Sequence, residues 1–199
     1  MLEIIAIRHG ITEWNQLKRI QGHTDIPLSD EGITILQQYR VPENWLQLAW
    51  FSSPLIRAQH TAELLKLDCR IAPGLIEMHW GDWEGKTLTE LRNQDAQAFA
   101  DTEAKGLDML PPQGESPRMV QERMTAWANT IAAQKDTQTT IGIVAHKGVI
   151  RAVLAAACDW DMMGKPPVKL DYKAAHRFGF EPDGNNWRLL EANIRLLPE

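Results

Sequence analysis

Cysteine is nearly absent from this chain, with only Cys69 and Cys158 in 199 residues. Two cysteines supply neither a disulfide framework nor a metal-ligand spacing, and they read as buried free thiols in a reduced compartment. No run of about 18 apolar residues occurs, so no membrane-spanning helix is expected. The amino terminus has no basic segment leading into a hydrophobic stretch, and no secretory leader is expected. A basic excess is also missing. Lys and Arg number 21 against 26 Asp and Glu, a net charge of -5, which argues against a nucleic-acid partner. An anionic ligand must therefore be held by a local cluster of cations. No pair of the six histidines stands with a carboxylate at zinc-protease spacing, so neither a metal nor another cofactor is expected. Repeats and low-complexity tracts are absent. These absences leave a cytoplasmic protein with no membrane and no nucleic acid among its partners.

What is present fits one domain over residues 1–199. The apolar content of 44% and charged content of 24% are ordinary for a globular chain. The run Leu2–Ile7 predicts a buried strand. Ser29, followed by Asp30 and Glu31, predicts a helix start, with Ile33, Leu36 and Tyr39 on its apolar side and its end near Val41-Pro42. A second strand is predicted near 48–52. Ser53-Pro54 then reads as an N-cap with proline at the first helical position. That helix would place Leu55, Ala58, Ala62 and Leu65 inward, with Arg57 in its first turn. A short strand near Cys69–Ala72 follows.

From about 75 to 113 the pattern loosens into a short helical cap insertion, with helices near 87–93 and 95–105. Ser116-Pro117 starts a long amphipathic helix bearing Val120, Met124, Trp127 and Ile131. Thr140–Ala145 is the clearest buried strand. His146 ends it, and Gly148 opens an apolar helix to Ala157. The tail reads as an antiparallel hairpin, 175–180 and 187–192, around a turn at 182–185. Its exposed edge offers a surface on which a homodimer could pair. The alternation predicts an α/β fold, a three-layer α/β/α sandwich around a mostly parallel central sheet.

Ligands of such sheets gather at the carboxyl ends of the strands, where Arg8-His9, Ser53 with Arg57, and His146 all fall. The set suits a phosphate monoester. Arg8 and Arg57 carry planar, permanently charged forks that match phosphate. The helix start after Pro54 adds a positive dipole end, the Asn15 amide can donate, and His146 can donate a ring N–H. His9 is then the nucleophile, kept neutral by the adjoining arginines. Glu77 is the candidate acid for the leaving oxygen, with a pKa raised by burial near tryptophans and a phosphate dianion. Trp80 and Trp83 could stack on a substrate ring or simply form the wall.

These residues resemble the histidine phosphatase superfamily, the phosphoglycerate mutase-like group. Arg8-His9-Gly10 with Thr12-Glu13 and Asn15 matches its opening motif. Gln21-Gly22, Asp25 and Pro27-Leu28-Ser29 match the next stretch, and Ser52-Ser53-Pro54, Arg57-Ala58 and Thr61-Ala62 its second arginine segment. Glu77 with Gly81–Gly85 matches the acid segment. Gly114-Glu115-Ser116 with Arg123 matches the return from the insertion, and Ala145-His146 with Gly148 the second histidine. The resemblance implies a phosphohistidine at His9, phosphate binding by Arg8, Arg57 and His146, proton donation by Glu77, and no metal. Gln21 and Gly22 enter the expected substrate site with it. Lys147 departs from the small residue frequent there, and is either an added cation at the phosphate or a solvent-pointing lysine. The cap is short and acidic: Lys86, Arg92 and Lys105 face Glu90, Asp95, Asp101, Glu103 and Asp108. That favours a phosphatase acting on a small-molecule monoester such as alpha-ribazole phosphate, a sugar phosphate or a broad set. The alternatives are a cofactor-dependent phosphoglycerate mutase and a non-catalytic phospho-ligand binding module.

Overall fold

Six strands form the main sheet, in the order β4-β3-β5-β1-β6-β7, in a computed structural model that describes residues 1–134 and 139–199. They are β1 (Leu2–Arg8), β3 (Ala49–Ser52), β4 (Cys69–Ile71), β5 (Thr140–Ala145), β6 (Ala175–Glu181) and β7 (Asn186–Ile194). The first four run parallel, while β6 and β7 add an antiparallel hairpin. Parallel strands covered on both faces need continuous apolar sequence, which Ile4–Ile7 and Ile141–Ala145 provide, all of them buried apart from the glycine's missing side chain.

One face of the sheet carries α2 (Asp30–Leu36) and α3 (Ile56–Leu64), where Leu36, Ala58 and Ala62 meet Ile5, Ile7 and Trp50. The other face carries α6 (Pro117–Ala132) and α7 (Lys147–Ala157), where Val120, Met124, Val149 and Val153 meet Ile4, Ala6 and Ile143. The cap contains α4 (Leu88–Gln94) and α5 (Ala96–Glu103), and has a small core of its own made by Trp83, Leu91 and Phe99. The hydroxyls of Ser29, Thr87 and Ser116 and the carboxylate of Asp95 cap α2, α4, α6 and α5 respectively.

Three expectations need correction. The helix after Ser29 ends at Leu36, not near Val41, because Tyr39–Arg40 (β2) pairs antiparallel with Leu197–Pro198 (β8), and Tyr39 is exposed. Ser53 does not cap the next helix, which starts two residues later, at Ile56, behind Leu55. Its first amide is taken by Asp25 Oδ1 at 2.8 Å, from a loop 31 residues away. That carboxylate, and not Ser53, takes the first free amide of the helix. Third, Cys69 and Cys158 are free but only half-buried. Burial still pushes the Cys69 thiol up to about 12, which leaves it protonated and unreactive.

Candidate active site

Strand register gathers the site. Arg8 stands beside Ala145, and Ser52 beside Val144. The ladder continues one step past each strand: the His9 amide donates to Ala145 O at 2.9 Å and the Ser53 amide to Val144 O at 3.0 Å. His9, Ser53 and His146 thus leave the sheet at one level. The two imidazole centroids are 5.1 Å apart, and both rings are buried.

Hydrogen bonds set the tautomers. His9 Nδ1 lies 2.7 Å from Gly10 O. A carbonyl only accepts, so the proton sits on Nδ1 and the Nε2 lone pair is free. The loop holding this bond is tied to α3, since the Gly10 amide donates to Thr61 Oγ1 at 2.9 Å. Burial, then the charges of Arg8 and Arg57, hold the His9 pKa well below its ordinary value. His146 Nε2 lies 2.7 Å from Ser53 Oγ. That oxygen also accepts from the Leu55 amide; with its own proton donated to Nε2, the His146 proton sits on Nδ1, which is buried without a partner. Burial, then His9 and the two arginines, keep this ring neutral too.

Arg57 is fully buried. Its Nη2 donates to Gly22 O at 2.8 Å and its Nη1 to Thr24 O at 3.0 Å. Arg57 Nε has no partner, and neither has Arg8 Nε. Buried donors of this strength are rarely left empty, and here three come from residues expected to hold phosphate. Asn15 closes a capping box with Thr12 at the start of α1 (Glu13–Gln16), its Oδ1 accepting from the Thr12 amide; its NH₂ group takes no part in that bond. Gln21 is buried with Oε1 unpartnered.

Glu77 is buried. Its Oε1 accepts from the Met78 amide at 2.8 Å and its Oε2 from the Gly148 amide at 3.2 Å. Burial raises its pKa, and the two amides, Arg57 and Arg123 limit the rise. Residue 148 must be glycine for this approach, because a Cβ there would strike the Glu77 carboxylate. Trp83 belongs to the core of the cap, packed 5.0 Å from Phe99. It is therefore not a stacking platform. Trp80 is half-buried against it at 6.3 Å. Lys147 stands at the first position of α7, exposed, with Nζ 5.5 Å from the Tyr172 ring.

Two contributors escaped sequence reasoning. Glu84 accepts from the amides of His23 (2.8 Å), Thr24 (2.8 Å) and Trp80 (3.2 Å) and from the Thr24 hydroxyl (2.5 Å), clamping the 20–25 loop to the cap. Burial alone would raise its carboxyl, but these donors hold it lowered. Tyr172 lies against Arg8 at 5.6 Å. The first lies within the Gly81–Gly85 stretch of the acid segment, but nothing there showed that it reaches the 20–25 loop, and nothing local pointed to the second.

A neutral imidazole with a free Nε2, orphaned cationic donors around it and a protonatable carboxyl make a site suited to a phosphate ester. The sequence profile of the histidine phosphatase superfamily (branch 1) matches residues 4–194, and the chain belongs to that family. Adenosylcobalamin/alpha-ribazole phosphatase of Salmonella typhimurium is 32% identical over 162 residues, 77% of this chain and 78% of that one. Phosphoglycerate mutase-like protein 4 of Arabidopsis thaliana is 32% identical over 163 residues, 78% and 70% of the two chains. The structure of a mycobacterial glucosyl-3-phosphoglycerate phosphatase superposes with a TM-score of 0.76 at 26% identity, over 98% of this chain and 100% of that one. The activity is hydrolysis of small-molecule phosphate monoesters. No helix among the described residues is long and apolar enough to cross a membrane.

Proposed function

We propose that the protein hydrolyses its substrate through a phosphohistidine on His9. His9 Nε2 attacks phosphorus in line while Arg8 and Arg57, through their free guanidinium donors, His146 Nδ1–H and the Asn15 amide bind the three equatorial oxygens. The bond from phosphorus to the leaving oxygen breaks, and Glu77 gives that oxygen its proton. The resulting carboxylate then takes a proton from the water that attacks the phosphohistidine, releasing inorganic phosphate and restoring His9 and Glu77. The observation that carries this reading is the three buried, unpartnered donors, Arg8 Nε, Arg57 Nε and His146 Nδ1, around the His9–His146 pair.

Hydrolysis is favoured over mutase transfer because the cap is short and mildly acidic, with α4 and α5 spanning only Leu88–Glu103, so that it admits water to the phosphohistidine and carries no paired arginines of its own. The alpha-ribazole and sugar-phosphate activities carried in the names of its relatives are the substrate classes to try first. Metal-free turnover, a cytoplasmic location, no nucleic-acid partner and pairing of two copies along the β7 edge belong to the same proposal.

The test is a phosphoenzyme trap. Brief mixing with a ³²P-labelled aryl phosphate is expected to give label that survives alkali and is lost in acid, is absent from His9→Ala, and forms equally with a chelator present. Acid-resistant label would rule out histidine as the acceptor. Brisk isomerisation of 3-phosphoglycerate with 2,3-bisphosphoglycerate would make the protein a mutase instead.

A further inference from the structure

Three cations crowd one phenol at the rim of the site. Arg8 and Lys147 lie 5.6 and 5.5 Å from the centroid of the Tyr172 ring. Arg151 lies within side-chain hydrogen-bonding reach of the Tyr172 hydroxyl, and its guanidinium sits 5.0 Å from the Trp160 ring centroid. Among the described residues no carboxylate forms an ion pair with any of the three, although they stand close together around one ring. The nearby acids are engaged elsewhere. Glu77 accepts two backbone amides, and Asp171 Oδ1 accepts from the Lys173 amide at 3.0 Å.

This arrangement opposes folding in three ways. A cation at the first position of α7 faces the positive end of the helix dipole. Lys147 and Arg151 are like charges four residues apart on one helix. Both also repel Arg8, in a protein whose net charge is -5. Local rules broken together at the mouth of a site point to a ligand that relieves them. Arg8 is committed to the transferred phosphate, so Lys147 and Arg151 are in excess of what one phosphate needs. Their position gives the direction. Glu77, the proposed acid for the leaving oxygen, is held by the Gly148 amide, and its charge acts directly on both Lys147 and Tyr172, which sets Lys147 beside that acid, on the leaving-group side.

We propose that Lys147, steadied by the Tyr172 ring and flanked by Arg151, is a subsite for a second anionic group on the leaving portion of the substrate, a carboxylate or a further phosphate. This rests on the phosphatase reading and narrows its substrate class to monoesters carrying another acid.

Two matched pairs test it: phenyl phosphate against 4-carboxyphenyl phosphate, and glycerol 3-phosphate against 3-phosphoglycerate. The added anion is expected to raise kcat/KM about tenfold or more in at least one pair, mainly through KM. Lys147→Met should bring that ratio to about one, and Lys147→Arg should retain most of it. Tyr172→Leu should lower the ratio while Tyr172→Phe, which keeps the ring, preserves it. A wild-type ratio near one in both pairs overturns the proposal. So does a Lys147→Met protein that loses both members of a pair equally, since the lysine would then serve the transferred phosphate. Turnover of phenyl phosphate reports on the phosphatase reading separately. Should it fail, calorimetric binding of benzylphosphonate and 4-carboxybenzylphosphonate reads the same preference without chemistry. Equal affinities would overturn the subsite.

Discussion

In the proposed mechanism a single carboxyl decides how far this site can discriminate among leaving groups. Glu77 is buried, its pKa is raised, and both oxygens accept from backbone amides. Alkoxides need its proton; an aryloxide of low basicity does not. Glu77→Gln is therefore expected to lower kcat/KM, which reports on phosphoryl transfer to His9 and not on the later attack of water, by about 10²–10⁴-fold on alkyl phosphates, the usual worth of a positioned proton donor, and far less on 4-nitrophenyl phosphate. Equal losses on both would show that Glu77 positions groups rather than moving a proton. The motifs made Glu77, His9, Arg8, Arg57 and His146 legible in the sequence, because strand ends and short spacings locate them. Ser53 was misread for a physical reason. Its hydroxyl looks like a helix cap locally, but the fold brings His146 within 2.7 Å of it. The hydroxyl's role as a proton-placing partner exists only across a separation of 93 residues.

Helix ends show the same division between local and distant causes. The caps of α2, α4, α5 and α6 come from Ser29, Thr87, Asp95 and Ser116, each three residues from the amide it serves; Ser29 and Ser116 are legible in the sequence for that reason, while the helices near 87 and 95 were placed without their caps. The start of α3 is capped by Asp25, through space, and nothing local signals it. Tyr172 is farther still from Arg8 along the chain. The short β2–β8 pair ends α2 early because a carboxy-terminal strand competes for Tyr39–Arg40. The two kinds of cap should respond differently to removal. Ser116→Ala and Asp25→Ala are each expected to cost about 1 kcal/mol in a denaturant titration. Asp25 also anchors the 20–25 loop whose Gly22 and Thr24 carbonyls hold Arg57. Only Asp25→Ala should therefore also raise the KM. A raised KM in Ser116→Ala, or an unchanged one in Asp25→Ala, would break that link.

At the scale of the whole molecule, three neutral histidines are enclosed at the sheet: His9, His146 and His176. His176 Nδ1 accepts from the Asn193 amide at 3.2 Å, and burial lowers its pKa from 6.5 to about 4. His9 and His146 are lowered well below 6.5, each first by burial. A group whose folded pKa is depressed binds its proton first in the unfolded chain. Stability is thus full above about pH 6.5 and is lost as pH falls toward the folded values. Each histidine contributes at most about 1.4 kcal/mol per pH unit across that window. Glu77 acts with the opposite sign. Its raised pKa lets the folded state take a proton first, so it offsets part of the loss at the acid end of the window. The Tm is accordingly expected to be flat from pH 8 to 7 and to fall steeply from pH 6.5 to 5. In His176→Asn, where the amide oxygen can replace Nδ1 as acceptor, the fall should be shallower from a lower starting Tm. Phosphate at saturating concentration should raise the Tm throughout by binding the folded state alone. A Tm that holds level from pH 7 to 5, or a His176→Asn curve parallel to the parent's, would mean that these rings take up protons inside the folded protein.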